Sequence, residues 1–380
     1  MKVLLISPYH GGSHRAWAEG YQRYSTHDLF LLTLPARYWK WRMHGGAVTL
    51  AREFTASDFE PDVMLATDML DVSTFLSLTR ERTSGTPVVL YMHENQLTYP
   101  LPENPESGPM RRQHGERDLH YAFINYASML SADQVVFNSE FHRRSFFDAL
   151  PGFLNHFPEF REEHTVGRLK ERSLVLPVGL DLAGLQSAAP SKQRELPLIL
   201  WNQRWEYDKN PKVFFQAILA LAAEGIPFEL AVCGESFQQP PEIFETAARQ
   251  LNSHVIHWGY ARQDLYQRLL WDATLTVSTA LHEFFGISIL EAAFCQTLPL
   301  VPNRLSYPEI LPTEFHEPCL YDREDELPDR LKQALVDPRS TRKTAIALAA
   351  QVETYNWKKL APEYDWLLEE LKATDGGRSP

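Results

Sequence analysis

The chain has 380 residues, of which 44% are hydrophobic and 23% are charged, and its formal net charge is −12. That length favours two globular domains, and the acidic balance argues against a general nucleic-acid coat while leaving room for a local basic groove. Cys233, Cys295 and Cys319 lack metal-ligand spacing, which is typical of reduced cytoplasmic thiols. We expect no signal peptide because Met1 and Lys2 lead straight into a strand pattern, and no membrane span because no apolar run reaches about 18 residues.

The first half of the chain alternates short apolar strands with helices. Strands are predicted at residues 3–7, 29–34, 63–66, 88–92, 134–137 and 174–176. The first strand leads through Gly11 and Gly12 into a predicted helix at residues 16–24, which is the opening of a doubly wound sheet. Ligands of open α/β sheets bind outside the carboxyl ends of the strands. We therefore expect one cleft lined by Gly11, Gly12, Asp68, residues 93–96, Asn138 and Ser139.

The second half repeats this alternation. Strands are predicted at residues 198–201, 228–233, 255–256, 275–277 and 298–301. We therefore predict an α/β protein of two doubly wound domains, at residues 1–180 and 196–354, joined by a linker at residues 181–195. Residues 355–372 carry apolar side chains, among them Trp357 and Trp366, at near-helical spacing. We expect them to form a helix that packs back on the body, followed by a disordered tail at residues 373–380.

The stretch from residue 278 to residue 291 reads as strand end, loop and helix start. Gly286 lies at the tight turn into the helix, whose free N–H groups and positive dipole end suit a phosphate. Glu283 lies in the loop and Glu291 roughly one turn inside the helix. A phosphate ester that carries hydroxyl groups fits this arrangement. An ordinary strand–helix junction with two surface glutamates has the same pattern.

Two further strand ends of the second half carry candidate ligand groups. Arg204 and Lys209 straddle a loop after the strand at residues 198–201, and two cations there suit a diphosphate. A charge cluster with Glu206 and Asp208 is the alternative. Gly259, beside Tyr260, permits main-chain contact with a flat base, and a plain turn is the other interpretation.

His93 ends a strand of the first half and faces the expected cleft. It is suited to hydrogen-bond a reacting sugar or to transfer a proton. A structural histidine bonded to Glu94 or to the main chain is the alternative. The chain contains no Asp-x-Asp pair, which argues against a metal-chelated diphosphate. We therefore expect no metal and assign charge neutralisation to Arg204, Lys209 and helix dipoles.

Taken together, these motifs resemble a known family. Glu283 and Glu291, with Arg204 and Lys209 upstream, resemble the retaining glycosyltransferases of family 4, which have the two-domain GT-B fold. The runs at residues 9–14, 34–42, 91–96, 136–139, 204–209 and 282–286 narrow this to the tRNA-queuosine α-mannosyltransferases. That family transfers mannose from GDP-mannose to queuosine in the anticodon of a tRNA.

The resemblance implies a role for each candidate residue. Glu283 would hold the hydroxyls of the donor sugar, His93 would contact the transferring sugar, and Glu291 would bind the ribose. Gly259 and Tyr260 would border the base. The diphosphate would be bound by Arg204, Lys209, Phe285, Gly286 and Ile287, with Gly11 and Gly12 approaching from the first domain. The resemblance also implies front-face transfer with retention of configuration, so that no protein nucleophile is required.

One segment points to the acceptor independently of the resemblance. Residues 36–44 interleave cations with aromatic residues, a mixture that suits base stacking and phosphate contact, and residues 111–114 extend it. A surface helix with its aromatic side chains tucked into the domain is the alternative. We assign acceptor or tRNA binding to Arg37, Trp39, Lys40, Trp41, Arg42, His14, Glu94, Asn95 and Asn138.

These observations predict a cytoplasmic, metal-independent, retaining glycosyltransferase, with mannosyl transfer from GDP-mannose to queuosine in tRNA as the specific expectation. A related enzyme that uses another sugar nucleotide and glycosylates a small molecule, lipid or glycan is the first alternative. An inactive relative that only binds RNA or a sugar nucleotide is the second.

Overall fold

The computed structural model describes residues 1–100, 119–186, 194–234 and 241–375. These residues form two compact units. The first unit consists of Met1–Leu180 and the chain from Trp357 onward, and the second is Asp181–Asn356. Each contains a parallel sheet with helices between its strands, which confirms the predicted α/β class.

The sheet of the first unit has six parallel strands among the described residues, in the order β2-β1-β3-β4-β5-β6. The strands are β1 (Lys2–His10), β2 (Asp28–Pro35), β3 (Val63–Thr67), β4 (Val88–Met92), β5 (Gln134–Phe137) and β6 (Ser173–Val175). The helices between them are α1 (Gly12–Tyr24), α2 (Trp39–Thr55), α3 (Val72–Thr83), α4 (Leu119–Ser131), α5 (Glu140–Leu154) and α6 (His164–Glu171). Every residue of β3 and β4 is buried, because helices cover both faces of a parallel sheet.

The second unit repeats this design over its described part, with the order β12-β11-β10-β7-β8-β9. The strands are β7 (Leu198–Asn202), β8 (Glu229–Cys233), β9 (Val255–Gly259), β10 (Leu275–Val277), β11 (Leu298–Pro302) and β12 (Leu320–Tyr321). The helices are α7 (Leu182–Gln186), α8 (Pro211–Ala223), α9 (Ile243–Gln250), α10 (Gln263–Asp272), α11 (Ile287–Phe294), α12 (Tyr307–Ile310), α13 (His316–Cys319), α14 (Leu327–Val336) and α15 (Pro338–Val352). The strand order reverses between β7 and β10, and ligands of such sheets bind at this switch point.

The last helix, α16 (Trp357–Asp375), returns to the first unit, which confirms that the C-terminal helix packs back on the body. The Trp357 ring lies against the main chain of Gly20 and Gly179, where an added Cβ would come within 2.2 Å of the indole. Asp365 accepts hydrogen bonds from the Tyr21 hydroxyl and from the main-chain N–H of Thr26, both at 2.8 Å.

The helix buries Trp357, Leu360 and Tyr364 as its spacing predicts, and Trp366 is the exception. Trp366 is 58% exposed, while the neighbouring Asp365 is buried and accepts the hydrogen bonds from Tyr21 and Thr26. The segment predicted as a linker contains α7, and its Leu185 carbonyl accepts from the indole N–H of Trp271 at 2.7 Å. The segment predicted as a tail starts within α16, and residues 376–380 lie outside the described part of the chain.

Candidate active site

Two loops meet at the switch point of the second sheet. One follows β7 and contains Lys209, and the other follows β10 and contains Glu283. The N–H of Leu281 donates to the Asp208 carbonyl at 2.8 Å, and the Thr279 hydroxyl donates to the Lys209 carbonyl at 2.8 Å. These bonds fix the two loops against each other, so side chains that are far apart in the sequence share one site.

Lys209 is buried inside this junction. Its Nζ donates to the His282 carbonyl at 2.9 Å and to Oε2 of Glu283 at 3.3 Å, and it lies 3.2 Å from Oδ2 of Asp208. Burial disfavours the charged amine, but Glu283 and Asp208 outweigh burial and raise the pKa of Lys209. Burial also opposes ionisation of Glu283, but Lys209 holds its pKa below the usual value. Both groups are therefore charged at neutral pH.

Asp208 and His282 belong to this cluster, although the sequence predicted no ligand-binding role for either. Asp208 is 1% exposed, and its position next to Lys209, after a strand end, is the sequence signal for it. His282 is also buried, and burial, followed by the charge of Lys209, lowers its pKa to about 4. It is therefore neutral in the pH range in which Lys209 and Glu283 are ionised.

Arg204 is placed differently from Lys209. Its side chain is 46% exposed, and its guanidinium lies 3.5 Å from a carboxylate oxygen of Glu206. The charge cluster of the alternative interpretation is thus present, with Arg204 beside Glu206 and Lys209 beside Asp208. The contact between Lys209 and Glu283 goes beyond that interpretation, because it joins the loop after β7 to the loop after β10.

Gly286 precedes α11 with φ of +102°, in the left-handed region that favours glycine. A Cβ at this position would lie 3.0 Å from Ile310 and 3.3 Å from Tyr307. The N–H of Phe285 points back to Oε1 of Glu283 at 3.4 Å, and the Phe285 carbonyl accepts from the Ser306 hydroxyl at 2.9 Å. The turn therefore holds Glu283 at the N-terminus of α11, where the helix dipole favours negative charge. Ile287, the first residue of the helix, is half-buried.

Glu291 lies on α11 and contacts α10. The Tyr266 hydroxyl donates to Oε2 of Glu291 at 2.8 Å, and Asn202 Nδ2 donates to the Tyr266 oxygen at 3.3 Å. Burial raises the pKa of Glu291 to about 7, and the hydrogen bond from Tyr266 offsets this only in part. Glu291 is therefore a carboxyl group that changes charge near neutral pH. Tyr266 is a neighbour that sequence spacing did not reveal.

Gly259 is the last residue of β9 and Tyr260 follows it, at the edge of the second sheet and three strands from β10. Gly259 has φ of +116° and open space at its missing Cβ, and Tyr260 is 68% exposed. A main-chain surface and an exposed ring are thus available there. Trp205, which the sequence analysis gave no role, lies over Gly234 on the adjacent strand end and stacks on Phe244 with ring centroids 4.3 Å apart.

In the first unit, Gly11 and Gly12 form the start of α1. A Cβ at Gly11 would lie 2.4 Å from the Cβ of Ala36, so glycine is required there by packing. Gly12 has φ of +51° and open space at its missing Cβ. The main chain at Gly12 is therefore accessible from the carboxyl edge of the sheet.

His93 follows β4 and is held on both sides. Its N–H donates to Oδ1 of Asp68 at 2.9 Å, and its carbonyl accepts from Nδ2 of Asn138 at 2.9 Å. Its ring centroid lies 4.3 Å from that of His14 and 4.7 Å from that of Trp17. Burial, followed by His14, lowers the pKa of His93 well below the usual value, so the imidazole is neutral at physiological pH.

Two of the other polar residues predicted at this edge, Asn95 and Asn138, are buried and bonded inside the protein. Asn138 is 3% exposed, and its amide oxygen lies 2.8 Å from Nδ1 of His142, so its side chain is bonded at both ends. Asn95 is fully buried, and its Oδ1 accepts from the N–H groups of Leu97 and Thr98. A carboxylate oxygen of Glu94 accepts from Gln96 at 2.9 Å. Asn138 therefore supports His93 structurally, and Asn95 shapes the turn that follows.

Part of the basic and aromatic segment is packed onto the first unit at the start of α2. Trp39 packs on Tyr121 with ring centroids 5.2 Å apart, and the Lys40 amine lies 5.5 Å from the centre of the Trp39 ring. Nε of Arg42 donates to the Pro35 carbonyl at 3.1 Å. These contacts agree with the alternative in which aromatic side chains are tucked into the domain.

The rest of the segment faces solvent. Trp41 is 64% exposed and lies over Gly45, and Tyr38 is 80% exposed. Arg37 is exposed beside them. The segment thus presents the exposed rings of Tyr38 and Trp41, together with the exposed basic residues Arg37 and Lys40, on the first unit. Residues 111–114, predicted to extend it, lie outside the described residues.

Two features are absent from the described ranges. No helix there is long and apolar enough to cross a membrane. No group of three or more His, Cys, Asp or Glu side chains in those ranges is arranged to hold a metal ion.

Comparison with known sequences identifies both halves of the chain. Residues 2–180 match the family model described as tRNA-queuosine alpha-mannosyltransferase N-terminal, and residues 185–369 match that described as glycosyl transferases group 1. A curated relative from Drosophila melanogaster, named tRNA-queuosine alpha-mannosyltransferase, is 32% identical over 374 residues, which is 95% of each chain. The enzyme class is therefore glycosyltransferase.

Solved structures share the fold at low sequence identity. Sucrose-phosphate synthase from Thermosynechococcus elongatus has a TM-score of 0.72 and 14% identity, over 98% of this chain and all of that one. HepE from Anabaena, in complex with UDP, has a TM-score of 0.66 and 14% identity, over 97% of this chain and all of its own. These neighbours confirm the GT-B architecture.

Proposed function

We propose that this chain, which belongs to the tRNA-queuosine α-mannosyltransferase family, transfers mannose from GDP-mannose to queuosine in the anticodon of a tRNA. Family membership across the whole chain supports the acceptor and the sugar. The observation that carries the catalytic part is the contact between Lys209 and Glu283 at the switch point of the second sheet. It joins a cation and a carboxylate where α/β sheets bind ligands.

On this proposal the second unit binds the donor. The exposed guanidinium of Arg204 and the N-terminus of α11 neutralise the diphosphate, because both offer N–H donors to anionic oxygens. The buried amine of Lys209 adds positive charge to the site, and its contact with Glu283 fixes that carboxylate. Glu283 accepts hydrogen bonds from the hydroxyls of the sugar, and Glu291 accepts from those of the ribose. Gly259 and Tyr260 border the base.

The chemical step then needs neither a protein nucleophile nor a metal. The bond from the anomeric carbon to the diphosphate breaks, and the acceptor hydroxyl attacks from the same face. The leaving phosphate oxygen takes the proton of that hydroxyl, and the configuration is retained. Arg204, Lys209 and the dipole of α11 stabilise the charge that develops on the diphosphate. His93 is neutral and contacts the transferring sugar through a hydrogen bond.

The first unit binds the acceptor on this proposal. Trp41 and Tyr38 offer exposed rings for base stacking, and Arg37 and Lys40 offer charge for phosphate groups. Such a local basic surface is compatible with the acidic composition of the chain. We further propose that the reaction takes place in the cytoplasm, where the three buried cysteines remain thiols.

The decisive experiment incubates the protein with GDP-mannose and queuosine-containing tRNA, digests the RNA and weighs the nucleosides. We expect queuosine to gain the mass of one hexose, and tRNA that carries guanosine at that position to gain nothing. UDP-glucose in place of GDP-mannose tests the donor, and EDTA tests the metal. An unmodified queuosine peak after long incubation would refute the proposed acceptor. Equal transfer from UDP-glucose would refute the donor, and a rate abolished by EDTA would refute the metal-free step.

A further inference from the structure

We propose that Asp68 and Asn138 are positioning residues that fix the imidazole of His93 for contact with the transferring sugar. The inference rests on the proposed function, in which His93 makes that contact. It goes further by assigning two buried side chains, neither of which reaches the ligand, to the preparation of the catalytic geometry.

The main chain of His93 is held from both sides by side chains. Asp68 Oδ1 accepts from its N–H at 2.9 Å, and Asn138 Nδ2 donates to its carbonyl at 2.9 Å. Asp68 is 1% exposed and Asn138 is 3% exposed, so water does not compete for these bonds. The two bonds orient the peptide groups before and after His93, and thereby the direction in which its side chain leaves the main chain.

The clamp itself is supported by further side chains. Asn125 donates from Nδ2 to the Asp68 carbonyl at 2.8 Å and accepts at Oδ1 from the N–H of Gln96 at 2.9 Å. Asn138 Oδ1 lies 2.8 Å from Nδ1 of His142, which is fully buried. These bonds link the loop after β3, α4, the loop after β4 and α5, so the clamp is continuous with the core of the first unit.

Three aromatic rings pack around the imidazole and restrict its rotation. The rings of His14, Trp17 and Tyr91 have centroids 4.3, 4.7 and 4.8 Å from that of His93. Its Nε2 is buried, and no described residue forms a hydrogen bond with it. A buried polar atom that lacks a partner costs stability, and a role toward a ligand is one physical explanation for such an atom in a folded protein. The arrangement therefore holds a neutral imidazole, and on the proposed function its unpaired Nε2 is the atom that accepts from or donates to a hydroxyl of the bound sugar.

The contacts also say how Asp68 acts. Burial, followed by the nearby Glu94, raises the pKa of Asp68 well above its usual value. On this inference Asp68 acts on His93 as a hydrogen-bond acceptor. We therefore expect an amide oxygen at the same place to replace it. A role as a charged catalytic base would instead be lost with an amide.

The test compares four variants in steady-state mannosyl transfer and in GDP binding by calorimetry. We expect Asp68→Ala and Asn138→Asp to lower kcat roughly tenfold to a hundredfold, since small displacements of a reacting group cost that much, while GDP affinity stays within about twofold. Asn138→Asp keeps an oxygen that faces His142 and replaces the donor to the His93 carbonyl with a second oxygen. Asp68→Asn should recover most of the kcat that Asp68→Ala loses. Asp71→Ala is the matched control, because Asp71 caps α3 by accepting from the N–H of Thr74 and does not touch His93.

A kcat within about twofold of the wild type in Asp68→Ala and Asn138→Asp would overturn the inference, as would an Asp68→Asn variant as slow as Asp68→Ala. NMR of 15N-labelled histidine, with the His93 signals assigned through His93→Gln, supplies a measurement that needs no acceptor. We expect one tautomer of His93 in the wild type and averaged nitrogen shifts in Asp68→Ala and Asn138→Asp. If wild-type protein transfers no sugar, the proposed function fails, and unchanged His93 shifts in these variants would refute the clamp separately.

Discussion

Nζ of Lys209 lies 3.3 Å from Oε2 of Glu283, 74 positions along the chain. The same amine bonds to the His282 carbonyl and lies beside Asp208, so one buried cation holds a carbonyl and two carboxylates. Removing one member of a buried ion pair leaves the other charge uncompensated, which is costly. The cluster thus ties the stability of the second unit to the geometry of the proposed donor site.

This relationship separates the effects of two substitutions. In Glu283→Gln, Lys209 keeps Asp208 and the His282 carbonyl, so we expect a folded protein with GDP affinity within a few-fold of wild type and kcat lower by roughly a hundredfold. In Lys209→Met, Asp208 and Glu283 are left buried without a cation, and we expect a loss of about 3–5 kcal/mol in the free energy of unfolding. Turnover, calorimetry with GDP and thermal unfolding check both. Unchanged turnover in Glu283→Gln would exclude its sugar role.

Glu291 predicts how donor affinity depends on pH. Its pKa is raised from 4.5 to about 7 by burial, with partial relief from Tyr266. A ribose diol donates to the ionised carboxylate, so we expect GDP to bind more tightly as the pH rises from 6 to 8 and to release protons on binding near pH 7. Calorimetry in two buffers of different ionisation enthalpy measures the protons. Glu291→Gln should abolish that part of the pH dependence, and an equally steep profile in this variant would assign the titration to another group.

The same shift has a consequence for the stability of the protein without ligand. The folded state holds a proton on Glu291 more tightly than the unfolded state does. The stabilisation from this group is therefore complete below pH 4.5 and is lost as the pH rises through about 7. We expect the free energy of unfolding of Glu291→Gln to fall less steeply than that of the wild type between these values. A steeper fall in the variant would contradict the assignment.

The sequence alone predicted the sheets well because buried parallel strands are continuous apolar runs. It also placed Glu283, Arg204 and Lys209 at strand ends that proved to be neighbours at one switch point. It did not predict which polar side chains turn inward. Asn138 was assigned to the acceptor, yet both ends of its amide are bonded inside the protein.

The misses have a common physical origin, which is that tertiary partners decide the direction of a side chain. Trp366 is exposed on α16 because the neighbouring Asp365 points inward to Tyr21 and Thr26, and those partners lie more than 300 positions earlier in the chain. Spacing along one helix cannot report such distant hydrogen-bond donors. Tyr266, the partner of Glu291, was missed for the same reason.

Gly286 predicts a substitution that harms binding and stability together. Alanine at this position must adopt φ of +102°, and its Cβ would meet Tyr307 and Ile310. We expect Gly286→Ala to cost about 1–3 kcal/mol in the free energy of unfolding and to weaken GDP binding, because the turn orients the start of α11. Gly225→Ala is the matched control, since Gly225 has φ of +71° with open space around it. Equal GDP affinity in Gly286→Ala and the wild type would remove this turn from the proposed donor site.

Trp41 allows the proposed tRNA surface to be tested against a matched exposed tryptophan. Trp41 lies in the first turn of α2 and is 64% exposed, and Trp366 on α16 of the same unit is 58% exposed. Base stacking on an aromatic ring contributes about 1–3 kcal/mol per base. We therefore expect Trp41→Ala to weaken tRNA binding by roughly fivefold to a hundredfold, and Trp366→Ala to leave it unchanged.

The basic residues beside Trp41 add a second measurement. We expect Lys40→Gln and Arg37→Gln to weaken tRNA binding and to reduce the slope of log affinity against log salt, because each removes a phosphate contact and its counterion release. GDP affinity should be unaffected in all of these variants. Filter binding of queuosine-containing tRNA at several salt concentrations makes the comparison. Equal losses in Trp41→Ala and Trp366→Ala, or unchanged salt slopes, would move the acceptor surface away from the start of α2.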